Sequence, residues 1–208
     1  MFILFLQGVG LAFPSVLSPS PLKIFLISRA LQNGWRSTLP SAFVSLLTDG
    51  PIVVLMLFLL NQVPDWFLQL LRIGGGCFML YLSAKFFHVL PKGGIDLQPS
   101  AQASQRTFRE AISINLLNPN PYLMWSVIGG PTVLAAIREQ STAVGISFII
   151  GFYLTLVTGL AAMVIVFGTA GQLSPRARYG LSVIAAVSLA IFGIYQMIVG
   201  IDALFVIR

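Results

Sequence analysis

Apolar runs long enough to cross a bilayer alternate with short polar breaks along nearly the whole chain. Spanning the hydrocarbon core takes about 20 mostly apolar residues. By that rule helices are expected near 3–30, 38–61, 66–90, 109–137, 142–169 and 179–204. The breaks are brief: Asn33-Gly34-Trp35-Arg36, Asn61 to Asp65, Arg138-Glu139-Gln140, and Ser174 to Arg178. The one long connection, Pro91 to Thr107, is rich in Gly, Ser, Gln and Pro and reads as a flexible linker. The expected fold is all-α and integral to the membrane. Its expected organisation is a three-helix repeat over 1–90, a cytoplasmic linker over 91–108 and a second three-helix repeat over 109–208.

Composition supports the membrane reading. Of 208 residues, 57% are apolar and 9% charged, whereas a soluble domain has about 25% charged residues. The formal charge of +6 could point to nucleic acid, but the basic residues occur singly or in pairs between apolar runs. That distribution encodes topology instead. Arg29, Arg36, Lys85, Lys92, Arg106, Arg109, Arg176 and Arg178 fall on one side, Arg72, Arg138 and Arg208 on the other. The first set belongs in the cytoplasm, which puts both termini outside. The chain from Met1 onward reads as the start of the first span, because no basic n-region or small-residue cleavage site is evident. Cys77 is the single cysteine, so no intrachain disulfide and no cysteine metal site is expected.

Two segments depart from uniform hydrophobicity in the same way. Ser18-Pro19-Ser20-Pro21 and Asn118-Pro119-Asn120-Pro121 place an x-Pro-x-Pro pattern in the first helix of each half. With three helices per half, the second half enters the membrane in the opposite sense, as in the inverted repeats of many secondary transporters. Each proline removes a backbone donor and clashes with the carbonyl one turn earlier. Broken backbone survives at membrane depth only inside protein or beside a wet cavity. The flanking Ser18, Ser20, Asn118 and Asn120 could re-satisfy that backbone as simple kinks, or bind a solute. Two motifs at matching places favour binding.

Asp49 lies about 13 residues beyond Arg36, roughly 20 Å into the second helix. It is the one acidic residue that the pattern places clearly at membrane depth, where an ionisable group is by default functional. Proton uptake and release is its expected role, against a purely structural one. Lys23, just past the first break, either faces Asp49 or extends toward the cytoplasmic interface. Trp35, Trp66 and Trp125 read as interfacial or packing aromatics, and Gly74-Gly75-Gly76 as a site of close helix packing.

Phe108-Arg109-Glu110-Ala111 followed by Asn115-Leu116-Leu117-Asn118-Pro119 resembles the F-R-x-G-x-x-x-N-x-x-N-P-K signature of the LysE/RhtB amino-acid exporters. Pro19-Ser20-Pro21 takes the place of that family's P-G-P, and Asp49 is similar to its acidic position in the second helix. Leu71 to Phe87 resembles its third helix. Ser20 and Ala111 stand for glycines and Asn120 for the usual lysine. The resemblance implies an exporter of amino acids or related small zwitterions in a bacterial cytoplasmic membrane, driven by protons, with six helices as two inverted repeats. The substrate site would then comprise Ser18, Pro19, Ser20, Pro21, Lys23, Asn115, Asn118, Pro119, Asn120 and Pro121. Expected partners are a small-molecule substrate, protons and the lipid bilayer, with a homo-oligomer admissible and no nucleic acid. No cofactor, resident metal or catalytic residue is expected. The alternatives are an exporter of metal or other ions, an intramembrane enzyme, and a non-transporting scaffold. A divalent cation wants several oxygen ligands, and aspartyl or zinc chemistry wants clusters that the sequence does not offer.

Overall fold

The computed structural model describes residues 1–58, 65–89, 101–170 and 175–206. Every regular element among them is helical. In chain order these are α1 (Phe2–Leu17), α2 (Pro21–Asn33), α3 (Trp35–Thr38), a 3-10 turn (Leu39–Phe43), α4 (Val44–Phe58), α5 (Asp65–Val89), α6 (Ala101–Leu116) and α7 (Pro119–Met124). A π-helical turn (Trp125–Gly129) leads into α8 (Gly130–Glu139), then α9 (Thr142–Ala170) and α10 (Pro175–Val206).

Among the described residues, four stretches are long and apolar enough to cross a membrane: Trp35–Leu57, Trp66–Lys85, Thr142–Thr169 and Ala186–Ala203. A fifth arises if the broken pair α1 and α2 counts as one span. The expected span over 109–137 is instead divided into α6, α7, the π turn and α8. Its polar first part (Arg109, Glu110, Asn115, Asn118) and Pro119, Pro121 and Pro131 interrupt both hydropathy and hydrogen bonding. The expected linker also needs correction. Residues 101–107 are the first turns of α6, built from the helix formers Ala101, Gln102, Ala103, Gln105 and Arg106. They are held because Thr107, Glu110, Ala111 and Ile114 form a buried stripe at helical spacing. The linker's first part, and loop residues Asn61 to Pro64, lie outside the described residues.

The first proline break follows from local rules. A residue before proline is pushed out of the α region, and both Ser18 (φ −63°, ψ 135°) and Ser20 (φ −146°, ψ 156°) are extended. The Ser18 backbone N–H and hydroxyl both donate to the Pro14 carbonyl, at 2.9 and 2.7 Å. Ser20 caps α2, its Oγ accepting from the Lys23 N–H at 3.5 Å, and Pro21 opens the helix where its missing N–H costs nothing. At the second break the Asn118 N–H donates to the Asn115 carbonyl at 3.2 Å before Pro119 starts α7.

The chain forms two compact units, each drawing on both halves of the sequence. Unit one contains Met1–Ser18, Ser45–Val63 and Asn120–Leu160. Within it α1 lies directly on α9: a side chain at Gly8 would strike the Phe148 carbonyl, and one at Gly151 the Phe5 carbonyl. Unit two contains Pro19–Val44, Pro64–Pro119 and Ala161–Arg208. Here α5 and α10 meet backbone to backbone. A Cβ on Gly76 would come within 2.7 Å of the Gly193 carbonyl, and one on Gly193 within 3.0 Å of the Gly76 carbonyl. The Ser83 hydroxyl donates to the Ala186 carbonyl across the same helix pair at 2.8 Å. Small residues do in lipid what apolar burial does in water: they let helices approach until packing holds them.

This contact predicts a contrast. Gly76→Val should destabilise the protein by about 1–3 kcal/mol through overpacking. Gly10→Ala, facing open space, should stay within about 0.5 kcal/mol of the parent. Unfolding of the two variants in detergent, followed by circular dichroism, distinguishes them; equal stabilities would remove the close-packing explanation.

Candidate functional site

Unit one contains three charged side chains, Asp49, Arg138 and Glu139. The latter two are exposed at the end of α8, whereas Asp49 is 4% exposed within α4. Burying a carboxylate is expensive unless polar groups face it. Thr48 Oγ1 donates to Asp49 Oδ1 at 3.4 Å. The hydroxyls of Tyr122 (α7) and Tyr153 (α9) both lie within electrostatic reach of the carboxyl.

An aromatic core positions Tyr153. Trp125, fully enclosed, stacks on Tyr153 with ring centroids 5.9 Å apart and planes at 14°. It meets Phe152 and Phe148 edge-on at 5.6 and 6.5 Å. The local sequence dictates where Trp125 goes. Pro131 cannot donate a helical hydrogen bond, and the wider π turn just before it absorbs the missing bond. Gly129 leaves room for the indole, since a Cβ there would come within 2.5 Å of Trp125 Cε3. The Tyr153 hydroxyl is within interaction range of both the indole N–H and Asp49. Neither approach closes to an ordinary hydrogen bond, so Trp125 Nε1 and Tyr153 Oη are buried with no hydrogen-bond partner among the described residues.

Unit two holds a second polar centre. Glu110 on α6 binds the Arg29 guanidinium of α2 through Oε2. Its Oε1 accepts from Lys85 Nζ at 2.7 Å and from Arg106 Nε at 3.3 Å. The Arg29 guanidinium also lies over the Phe25 ring at 5.4 Å. Helix α6 is not among the apolar spans. Burial alone would push the Glu110 carboxyl up, but Arg29 and Lys85 outweigh it and hold the group below the usual carboxylate range.

The expected site residues divide between the units. Ser18, Asp49, Asn120 and Pro121 belong to unit one, and Pro19, Ser20, Pro21, Lys23, Asn115, Asn118 and Pro119 to unit two. Pro21, Lys23, Asn115, Asn118 and Pro119 are buried, Ser20 and Pro121 half-buried, and Ser18, Pro19 and Asn120 exposed. Unit two packs α2 against α6, which puts Lys23 and Asn115 on neighbouring helices. Asp49 is not alone as a deeply buried acid, since Glu110 is 9% exposed. Glu110 had drawn notice only as part of the Phe108–Ala111 resemblance, though its place four residues after Arg106 on a buried stripe marks it. Of the three tryptophans, Trp66 is exposed and Trp125 is fully enclosed. Tyr122 and Tyr153 had no signal in the sequence beyond their type.

The sequence profile of the LysE type translocators matches residues 14–200. The chain belongs to the LysE type translocator family. Neither the curated proteins nor the solved structures include a match. As a LysE-family protein this is a multi-pass membrane transporter for a small molecule. The match runs through both proline breaks, Asp49, Trp125, Tyr153 and the Glu110 cluster.

In this LysE-family protein, Glu110→Gln should cost about 3–5 kcal/mol, because it leaves Arg29 buried without its countercharge. Arg106→Ala, at an exposed side chain, should cost at most about 0.5 kcal/mol. The carboxyl is depressed in the folded state, so its contribution is present above the unfolded value of about 4.3 and is lost as pH falls through the lower folded value. Thermal unfolding of parent and Glu110→Gln between neutral and acid pH should therefore converge only in acid. A gap that persists unchanged into strong acid would show that the charge is not what Glu110 contributes.

Proposed function

We propose that this LysE-family protein is a secondary transporter that exports amino acids or related small zwitterions from the bacterial cytoplasm in exchange for protons. The observation that carries the reading is Asp49, the buried charged side chain of a unit whose other two charges are exposed. A carboxyl in such surroundings changes its interaction with the protein strongly when it gains or loses a proton, which is what coupling requires. The family membership and the apolar helices support transport across a membrane.

In this reading Ser18, Ser20, Asn115, Asn118 and Asn120, with the interrupted backbone at Pro19, Pro21, Pro119 and Pro121, hold the solute. Broken helices that expose polar backbone are a recurrent way of binding ions and zwitterions at membrane depth. Lys23, buried just past the first break, is available to a substrate carboxylate. The two x-Pro-x-Pro segments are the corresponding breaks of two inverted three-helix repeats, with both termini outside.

The test is efflux from proteoliposomes loaded with labelled amino acids. Acidifying the outer medium should accelerate efflux, because protons enter as substrate leaves. Asp49→Asn should reduce the gradient-driven component by at least about tenfold, and Lys23→Met should weaken substrate affinity. Efflux that ignores the pH gradient would remove the coupling claim; Lys23→Met with unchanged transport would remove the lysine from the site.

A further inference from the structure

A buried polar hydrogen without an acceptor costs about 1–3 kcal/mol, and more where no water reaches it. Unit one carries two such groups on one stacked pair, the indole N–H of Trp125 and the hydroxyl of Tyr153. Trp125 is wholly enclosed and Tyr153 is 7% exposed. Both belong to the surroundings of Asp49, since the Tyr153 hydroxyl lies within interaction range of the indole and of the carboxyl. Packing alone does not require this chemistry: two phenylalanines would fill similar space without stranding polar atoms. The ensemble joins one anion, Asp49, to hydroxyls at Tyr122 and Tyr153 and an indole that can only donate. A small molecule that satisfies all of them offers a cation to the carboxylate and an acceptor oxygen to the donors, and aromatic faces close by favour the cation further.

We propose that Asp49, Tyr122, Trp125 and Tyr153 form an amine subsite, where a primary ammonium binds the Asp49 carboxylate and the Trp125 N–H and Tyr153 hydroxyl close on an oxygen of the same molecule. This rests on the exporter reading and names what that reading lacks, the reason protons and substrate exchange. Ammonium and proton compete for one carboxylate, so each leaves as the other arrives. Among the segments that build the unit, α1 carries no titratable side chain, α7 brings Tyr122 and α9 brings Tyr153. Arg138, Glu139 and Met1 are exposed. The pH response of this subsite therefore belongs to Asp49.

Trp125 reports on its own site. Replacing Trp35 and Trp66 by Phe leaves it as the single tryptophan of the chain. The purified protein is titrated with the common L-amino acids, each paired with its des-amino acid, while Trp125 emission is followed from pH 5 to 9. One or more amino acids should change the emission saturably, and their des-amino partners should not. Their apparent Kd should rise toward tenfold for each pH unit on the acid side, as simple competition with a proton demands. Asp49→Asn should remove that slope and weaken binding by at least about tenfold. Tyr153→Phe should weaken binding by about three- to tenfold while keeping the slope. Des-amino acids that bind equally well, an affinity flat with pH, or no response to any amino acid would each overturn the subsite. Efflux assays on the same protein separate the two claims. Gradient-driven amino-acid efflux alongside a flat binding profile overturns the amine subsite and leaves the exporter standing, whereas loss of gradient-driven efflux removes both.

Discussion

Inside a bilayer every backbone N–H and C=O needs a partner within the protein, and each proline break in this chain frees groups that need one. The consequences spread outward from two proline pairs. At Ser18–Pro21 the local chemistry answers part of it: a hydroxyl and an amide return to the Pro14 carbonyl, a serine caps the next helix, and a proline starts it. The breaks also coincide with the passages of the chain from one compact unit to the other, at Ser18/Pro19 and Pro119/Asn120.

The two units meet the cost of buried charge differently. In unit two a single carboxylate is surrounded by three cations, and Coulomb attraction outweighs desolvation. Such a centre is built to stay in one protonation state. In unit one the carboxylate faces hydroxyls and an aromatic stack, with the unit's other charged side chains exposed. In the proposed exchange, proton and ammonium compete for this carboxylate. Permanence in one unit and responsiveness in the other are the physical basis of the exporter reading.

Much of the fold could be read from sequence because its determinants are local. The residues before Pro19 and Pro21 are biased away from the α region by the following ring, and both are extended. The glycines at 74–76 announced a close contact, and Gly75 and Gly76 face backbone. The start of α6 was hidden, because Gly, Ser and Pro before it resemble a linker while its own residues show their helical face only once Thr107, Ala111 and Ile114 are buried. Tertiary partners were hidden more deeply. Arg29 and Glu110 are 81 residues apart, and nothing local distinguishes Arg29 from the other cations that mark topology. Trp125 and Tyr153 meet through a π turn that depends on Pro131 and a cleft that depends on Gly129, neither of which names its partner. Asp49 was legible for the opposite reason: a charge in an apolar run is conspicuous by itself.

The most direct measurement of the central claim is the ionisation of Asp49 seen spectroscopically. Infrared difference spectra of the membrane-embedded protein would isolate the protonated-carboxyl stretch that Asp49→Asn abolishes. The account predicts that this band diminishes as pH rises and also, at constant pH, when a transported amino acid is added. An Asp49 band indifferent to both pH and substrate, or no band assignable to Asp49 at any pH, would contradict it.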